Sequence, residues 1–339
     1  MTSNFPDTAA QFTGFIDLAA ERAGGAVLFA NDEFFAPKEA LLKAGPAEWR
    51  EGLYTERGKW MDGWETRRRR TPGHDWCLVR LGIPGRVHGV IVDTSFFRGN
   101  YPESCSIEGC RVDGTPDPET LLRDARWVEI LGRSPLQGDA QNPFAITCAE
   151  PFTHIRLTIY PDGGVARLRV HGEGFLDRDR LHPGSEVDLA AAEHGAVVHL
   201  CSDMFFGHRQ NLIMPGRSTH MDDGWETRRR RGPGHDWTIV RLAARGVMHR
   251  VEIDTDHFKG NAPGRCMLES CDAPDVGDDE HALSAASWRV LVHESPLQPH
   301  GRHRLTNLDH HEPATHVRLN IYPDGGIARL RLYGIPEDS

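Results

Sequence analysis

The chain has 339 residues, 39% of them hydrophobic and 26% charged, with a formal net charge of −10. That length suggests two domains, at roughly 150 residues each. The negative balance argues against nucleic acid as a partner despite two runs of four arginines, and no run approaches the ~18 apolar residues of a membrane span. The opening MTSNFPDTAAQF lacks the basic start and apolar stretch of a secretory signal, so a cytoplasmic protein with no membrane partner is expected.

Along the chain, the first patterned stretch is residues 16–35, whose DLAAERA reads as helix. Residues 62–76, DGWETRRRRTPGHDW, come next. Pro72 and Gly73 sit poorly within a strand, so residues 67–73 read as a loop. Beyond it WCLVRL and HGVIVDT read as two short strands. VDTSFFRGNYP, residues 92–102, then forms a loop leaving the second of them, and PETLLRDA reads as a further helix. Ile155, Leu157 and Ile159 alternate with Arg156, Thr158 and Tyr160, the period of a half-buried strand. The PDGG that follows signals a turn, and the alternation of Ala166, Leu168 and Val170 with Arg167 and Arg169 completes an expected hairpin.

All of this is then written a second time. DGWETRRRRGPGHDW recurs at residues 223–237, with only Thr71 changed, to Gly232. Residues 16–35, 92–102 and 153–172 recur at 187–206, 253–263 and 315–334, and SPLQ recurs at Ser134 and Ser295. The first copy is longer by an insertion: Gly63 lies 28 residues after Phe35, whereas Gly224 lies 18 after Phe206. A polar, Gly- and Pro-bearing linker is expected at residues 173–186, dividing the chain into domains 1–175 and 176–339. Short strands with Gly/Pro-rich turns predict an all-β fold, a sandwich or jelly roll in each half. Core positions of a duplicated domain drift among similar aliphatics. The residues kept here are polar or aromatic, which points to a site.

Seven cysteines, with no CxxC pair, are present. Cys105 and Cys110, repeated as Cys266 and Cys271, would stand about 16 Å apart on a strand, beyond the ~7 Å a disulfide spans. Reduced thiols are expected.

DGWETRRRRTPGHDW, IVDTSFFRGNYP and IYPDGGVARLR, with their second copies, resemble the allantoicase (allantoate amidinohydrolase) family nearly from end to end. The resemblance implies tandem jelly rolls similar to galactose-binding domains. It also implies hydrolysis of allantoate to ureidoglycolate and urea in purine catabolism, by a homo-oligomer.

That reaction needs a clamp for a carboxylate, a proton for departing urea and a base for water. The planar fork of Arg accepts a carboxylate bidentately. Arg67, Arg70, Arg228 and Arg231 are candidate clamps, with Lys259 beside them; in an extended run at most two of each four arginines face one site. Glu65, His74 and Asp75, and Glu226, His235 and Asp236, are the proton-transfer candidates, with Asp93 and Asp254 behind them. Asn100 and Asn261 suit a ureido group, having donor and acceptor together. The second loop of the second half adds Asp256 and His257 where the first has Ser95 and Phe96, so the second half is expected to be the more competent site. No cofactor is expected. There is no HExxH, GxSxG or Walker pattern, while a divalent metal on His235, Asp236 or Glu226 stays open. The histidines at 300, 303, 310 and 311 do not recur and read as surface. The alternative function is a non-catalytic, lectin-like tandem that binds a carbohydrate or small anion.

Overall fold

One long strand organises each half. In the computed structural model, which describes residues 9, 11–276 and 279–337, the chain forms two compact units, Met1–Gly174 and Phe175–Ser339. The strands of the first are β1 (Ile16–Asp17), β2 (Ala26–Ala30), β3 (Tyr54–Thr55), β4 (Gly58–Lys59), β5 (Trp64–Glu65), β6 (Asp75–Asp93), β7 (Ser104–Cys110), β8 (Val128–Pro135), β9 (Gln141–Ala145), β10 (Pro151–Tyr160), β11 (Gly164–Val165) and β12 (Arg167–Gly174).

WCLVRL and HGVIVDT are not separate short strands; they are the two ends of β6. Its first part pairs with β2 and β10, and its second with β9 and β12. One strand thus serves both faces of a sandwich. The hand-over lies near Pro84 and Gly85, where the ladders to β10 and β12 both reach Gly85 and an exposed proline costs nothing at its outward position. Leu78, Val90, Val92, Ile107, Leu157, Ile159 and Leu168 are fully buried between the faces.

Three local expectations change. β10 and β12 are not a hairpin, because each pairs with a different end of β6; the PDGG turn carries the chain across the sandwich. DLAAERA is not an α-helix. It is β1, a turn and a single 3-10 turn at Glu21–Ala23, since the β1–β12 pairing and the Leu18 bonds to Val170 and Gly82 hold it extended. Arg167 does not face solvent but is 3% exposed: residues 43–48 cover that face, and its guanidinium donates to Gly45 O, Pro46 O and Asp62. The helix expected at PETLLRDA does form, as Pro118–Asp124 capped by Asp117.

The second unit repeats the plan with β13 (Val187–Asp188), β14 (Val197–Cys201), β15 (Trp225–Glu226), β16 (Asp236–Asp254), β17 (Arg265–Cys271), β18 (Arg289–Pro296), β19 (Arg302–Leu305), β20 (Ala314–Tyr322), β21 (Gly326–Ile327) and β22 (Arg329–Pro336). Its sheet order, β13-β22-β16-β20-β17-β18 with β14 and β19 on β16, matches β1-β12-β6-β10-β7-β8 with β2 and β9 on β6. The chain is therefore an all-β tandem of sandwiches. Among its described residues the second unit has no counterpart of β3–β4. All seven cysteines are free thiols. Among the described residues no helix is long and apolar enough to cross a membrane.

Candidate active site

Glu65 is held by its backbone on both sides. Its N–H donates to Ala36 O, its carbonyl accepts from Phe35 and Ala36, and β5 pairs it with Gly164. Trp64 beside it is fully buried, and its indole N–H donates to Asp32 O at 2.8 Å. The polar stretch DGWET is thus fixed by one buried aromatic and a two-residue strand, leaving the Glu65 side chain free to turn outward.

The loop after β6 brings Asn100 to it. Asp93 accepts from Ser95 N at 2.8 Å, Thr94 Oγ1 donates to Gln137 O at 2.6 Å, and Phe97 is fully buried. Asp93 is therefore a turn-forming group and not a free base. The PDGG turn docks on this loop. Gly164 N donates to Asn100 O at 2.7 Å, and a Cβ on Gly164 would stand 1.9 Å from the Phe97 ring. Gly163, at φ 142°, would meet Asn100 O at 2.8 Å if it carried one. Asn100 Nδ2 then donates to Glu65 Oε1 at 2.7 Å. Burial pushes the Glu65 carboxyl above the usual carboxylate range, against the opposing pull of the Asn100 bond.

Glu65 and Asn100 lie in a cleft of about 490 Å³, together with Phe35, Trp49, Lys59 and Arg98. One wall is the insertion: β3 and β4 pair Tyr54 with Lys59 and Thr55 with Gly58. Arg57 ties the hairpin to Phe34 O at 2.9 Å, and Trp49 packs on Phe96 at 5.8 Å. Lys59 Nζ sits 4.2 Å from the centre of the Trp49 ring. Arg98 is paired with Asp139 at 2.9 Å.

The second half keeps the pair but not the wall. Asn261 Nδ2 donates to Glu226 Oε1 at 2.5 Å and to Met221 Sδ at 3.3 Å. Burial raises the Glu226 carboxyl, the Asn261 bond opposes this, and the Asp222 charge adds to the rise. Phe205 and Phe206 stay about three-fifths exposed, against about two-fifths for Phe34 and Phe35. Asp256 and His257 each have partners. Asp256 pairs with Arg217 at 2.7 Å and His300 at 2.8 Å, and His257 Nε2 meets Ser218 O at 3.1 Å. The two groups on which the extra competence expected of the second half rests thus already have partners within that half.

Of the remaining candidates, Arg67, Arg70, His74 and Asp75 are not among the residues lining this cleft. Arg67 pairs with Asp32 and Arg228 with Asp203, each guanidinium over a phenylalanine ring, Phe34 and Phe205. Arg70, Arg231 and Lys259 are exposed. Asp75 is buried, bonded by Asn31 at 3.1 Å and paired with Arg69 at 3.4 Å; Asp236 pairs with Arg230 in the same way. His74 packs on Tyr160 at 5.2 Å, and His235 lies on Tyr322 with Nε2 3.0 Å from Asn320 Oδ1. Among the described residues no three His, Cys, Asp or Glu gather to hold a metal ion.

The allantoicase repeat model matches residues 16–175 and 187–337, nearly the whole chain in two passes. The chain belongs to the allantoicase family. Over 332 residues it is 47% identical to a probable allantoicase of Pseudomonas aeruginosa (strain UCBPP-PA14), covering 97% of this chain and 98% of that one. It is 45% identical to the allantoicase of Dictyostelium discoideum, covering 93% of this chain and 86% of that one. The crystal structure of allantoicase from Saccharomyces cerevisiae superposes with a TM-score of 0.78 at 32% identity, covering 96% and 95% of the two chains.

Within this family member, sequence reasoning missed Trp49, Lys59 and Arg98. Arg98 carried a signal, because it stands where the second half has Lys259 and a cation is kept. The insertion carried one too, as the single large difference between the halves.

Proposed function

We infer that the chain hydrolyses allantoate to ureidoglycolate and urea, a step of purine catabolism, and that Glu65 is its acid–base group. One observation carries the assignment to this residue: a partly buried carboxyl, raised toward its protonated form, held at 2.7 Å by Asn100 in a cleft that also bears cations and aromatic walls. Protonated Glu65 gives its proton to the departing urea nitrogen as the bond from the central carbon breaks. The resulting carboxylate then takes a proton from water as the water oxygen bonds to that carbon. Asn100 supplies an amide partner for Glu65 and for a ureido group.

The proposal includes no cofactor: loss of urea release after chelation, restored by a divalent metal, would overturn that part. The reduced thiols favour a cytoplasmic location. The exposed Phe205 and Phe206 support a homo-oligomer in solution. The deciding experiment is urea release from allantoate by the purified chain; no release above the uncatalysed rate would sink the reading.

A further inference from the structure

We propose that Lys59, on the hairpin found only in the first half, anchors the substrate carboxylate and makes this cleft selective for an anionic ureide. The inference rests on the allantoate reading above and names the cation that reading requires.

The candidate cations are the arginines of the shared motif, Arg98 and Lys59. The arginines of the shared motif are spoken for or turned away: Arg67 is held by Asp32, Arg69 by Asp75, and Arg70 is exposed outside the cleft. Arg98 lines the cleft, but Asp139 already neutralises it at 2.9 Å. Lys59 lines the same cleft and has no carboxylate partner among the described residues. Its ammonium lies over the Trp49 ring at 4.2 Å, which fixes its position and leaves its donors available. An anion entering beside Glu65 and Asn100 therefore meets one positioned, unneutralised positive charge.

The second half shows the converse. It lacks the hairpin, and the residue before its shared DGW is Asp222 where the first half has Met61. Asp222 places a negative charge near Glu226. The Glu–Asn pair there has that charge beside it and Lys259 in the place of Arg98, but residues 207–223 hold no lysine or tryptophan to stand for Lys59 and Trp49.

The test compares wild type, Lys59→Met and Lys59→Arg on allantoate, with the neutral carboxamide of allantoate as a competitive inhibitor. For Lys59→Met, KM for allantoate should rise about 10–100-fold, the loss of one charged hydrogen bond, with kcat changed less than about threefold. Lys59→Arg should recover most of that rise. The inhibition constant of the carboxamide should be the same in all three. An unchanged KM in Lys59→Met would overturn the proposal, as would an equal weakening of allantoate and carboxamide, which marks a merely structural role. Those results leave the allantoate reading standing if wild type still releases urea; a wild type that releases none sinks both.

Discussion

At the scale of single residues, the halves carry the same Glu–Asn pair in unequal surroundings. Glu65→Gln removes the group that carries the proton and should lower urea release about 10²–10⁴-fold. Glu226→Gln should lower it far less, because its pair has no hairpin wall and faces Asp222. Steady-state urea assays on the two variants check this, and equal losses would indicate two equivalent sites. The pH profile follows from the direction of the Glu65 shift. The acid must be protonated to give its proton to urea, so activity falls as pH rises through a raised carboxyl value. Glu65→Gln should abolish that limb of the profile.

At the scale of elements, the duplicated turns and buried ion pairs fix the loops. Gly164→Ala puts a methyl into the Phe97 ring, which must move and carry Asn100 with it. A loss of about 1–3 kcal/mol from overpacking is expected in denaturant titration, together with reduced urea release. Arg167 and Asp62, 2.5 Å apart and both buried, pin the start of β12 to the segment entering the site. Burial would raise the Asp62 carboxyl, but the bonds from Arg167, Lys43 and the Glu48 N–H outweigh it and hold it at about 2. A depressed carboxyl adds stability that is complete above its unfolded value of 3.8 and is lost as pH falls through about 2. Arg167→Met leaves that charge buried without its main partner and should cost about 3–5 kcal/mol, measured at neutral pH.

For the whole molecule, thiol titration and mass test the remaining expectations. Unfolded protein should show all seven cysteines reactive. The native protein should show Cys148 and Cys201 first, since the other five are buried. Burial pushes the thiols of Cys105 and Cys266 up to about 12, where little thiolate exists at neutral pH. Light scattering should give a multiple of 37.9 kDa; a monomer at micromolar concentration would remove the oligomer from the proposal.

The sequence by itself determined the duplication, the all-β class and the family, because a repeated polar motif such as DGWETRRRR and the alternation at Ile155, Leu157 and Ile159 are local patterns. It also determined that Glu65 and Asn100, with their copies, were worth singling out. Only the tertiary structure decided that these two meet. Asn100 lies 35 residues from Glu65, and their bond depends on a glycine turn another 63 residues on, docking against both. The same is true of the arginines. In the sequence they look like a clamp, but Asp32 and Asp75 take up the charges of Arg67 and Arg69, and Arg70 stands exposed away from the cleft-lining residues. Which cation stays available is a question of three-dimensional neutralisation, and no spacing along the chain encodes it.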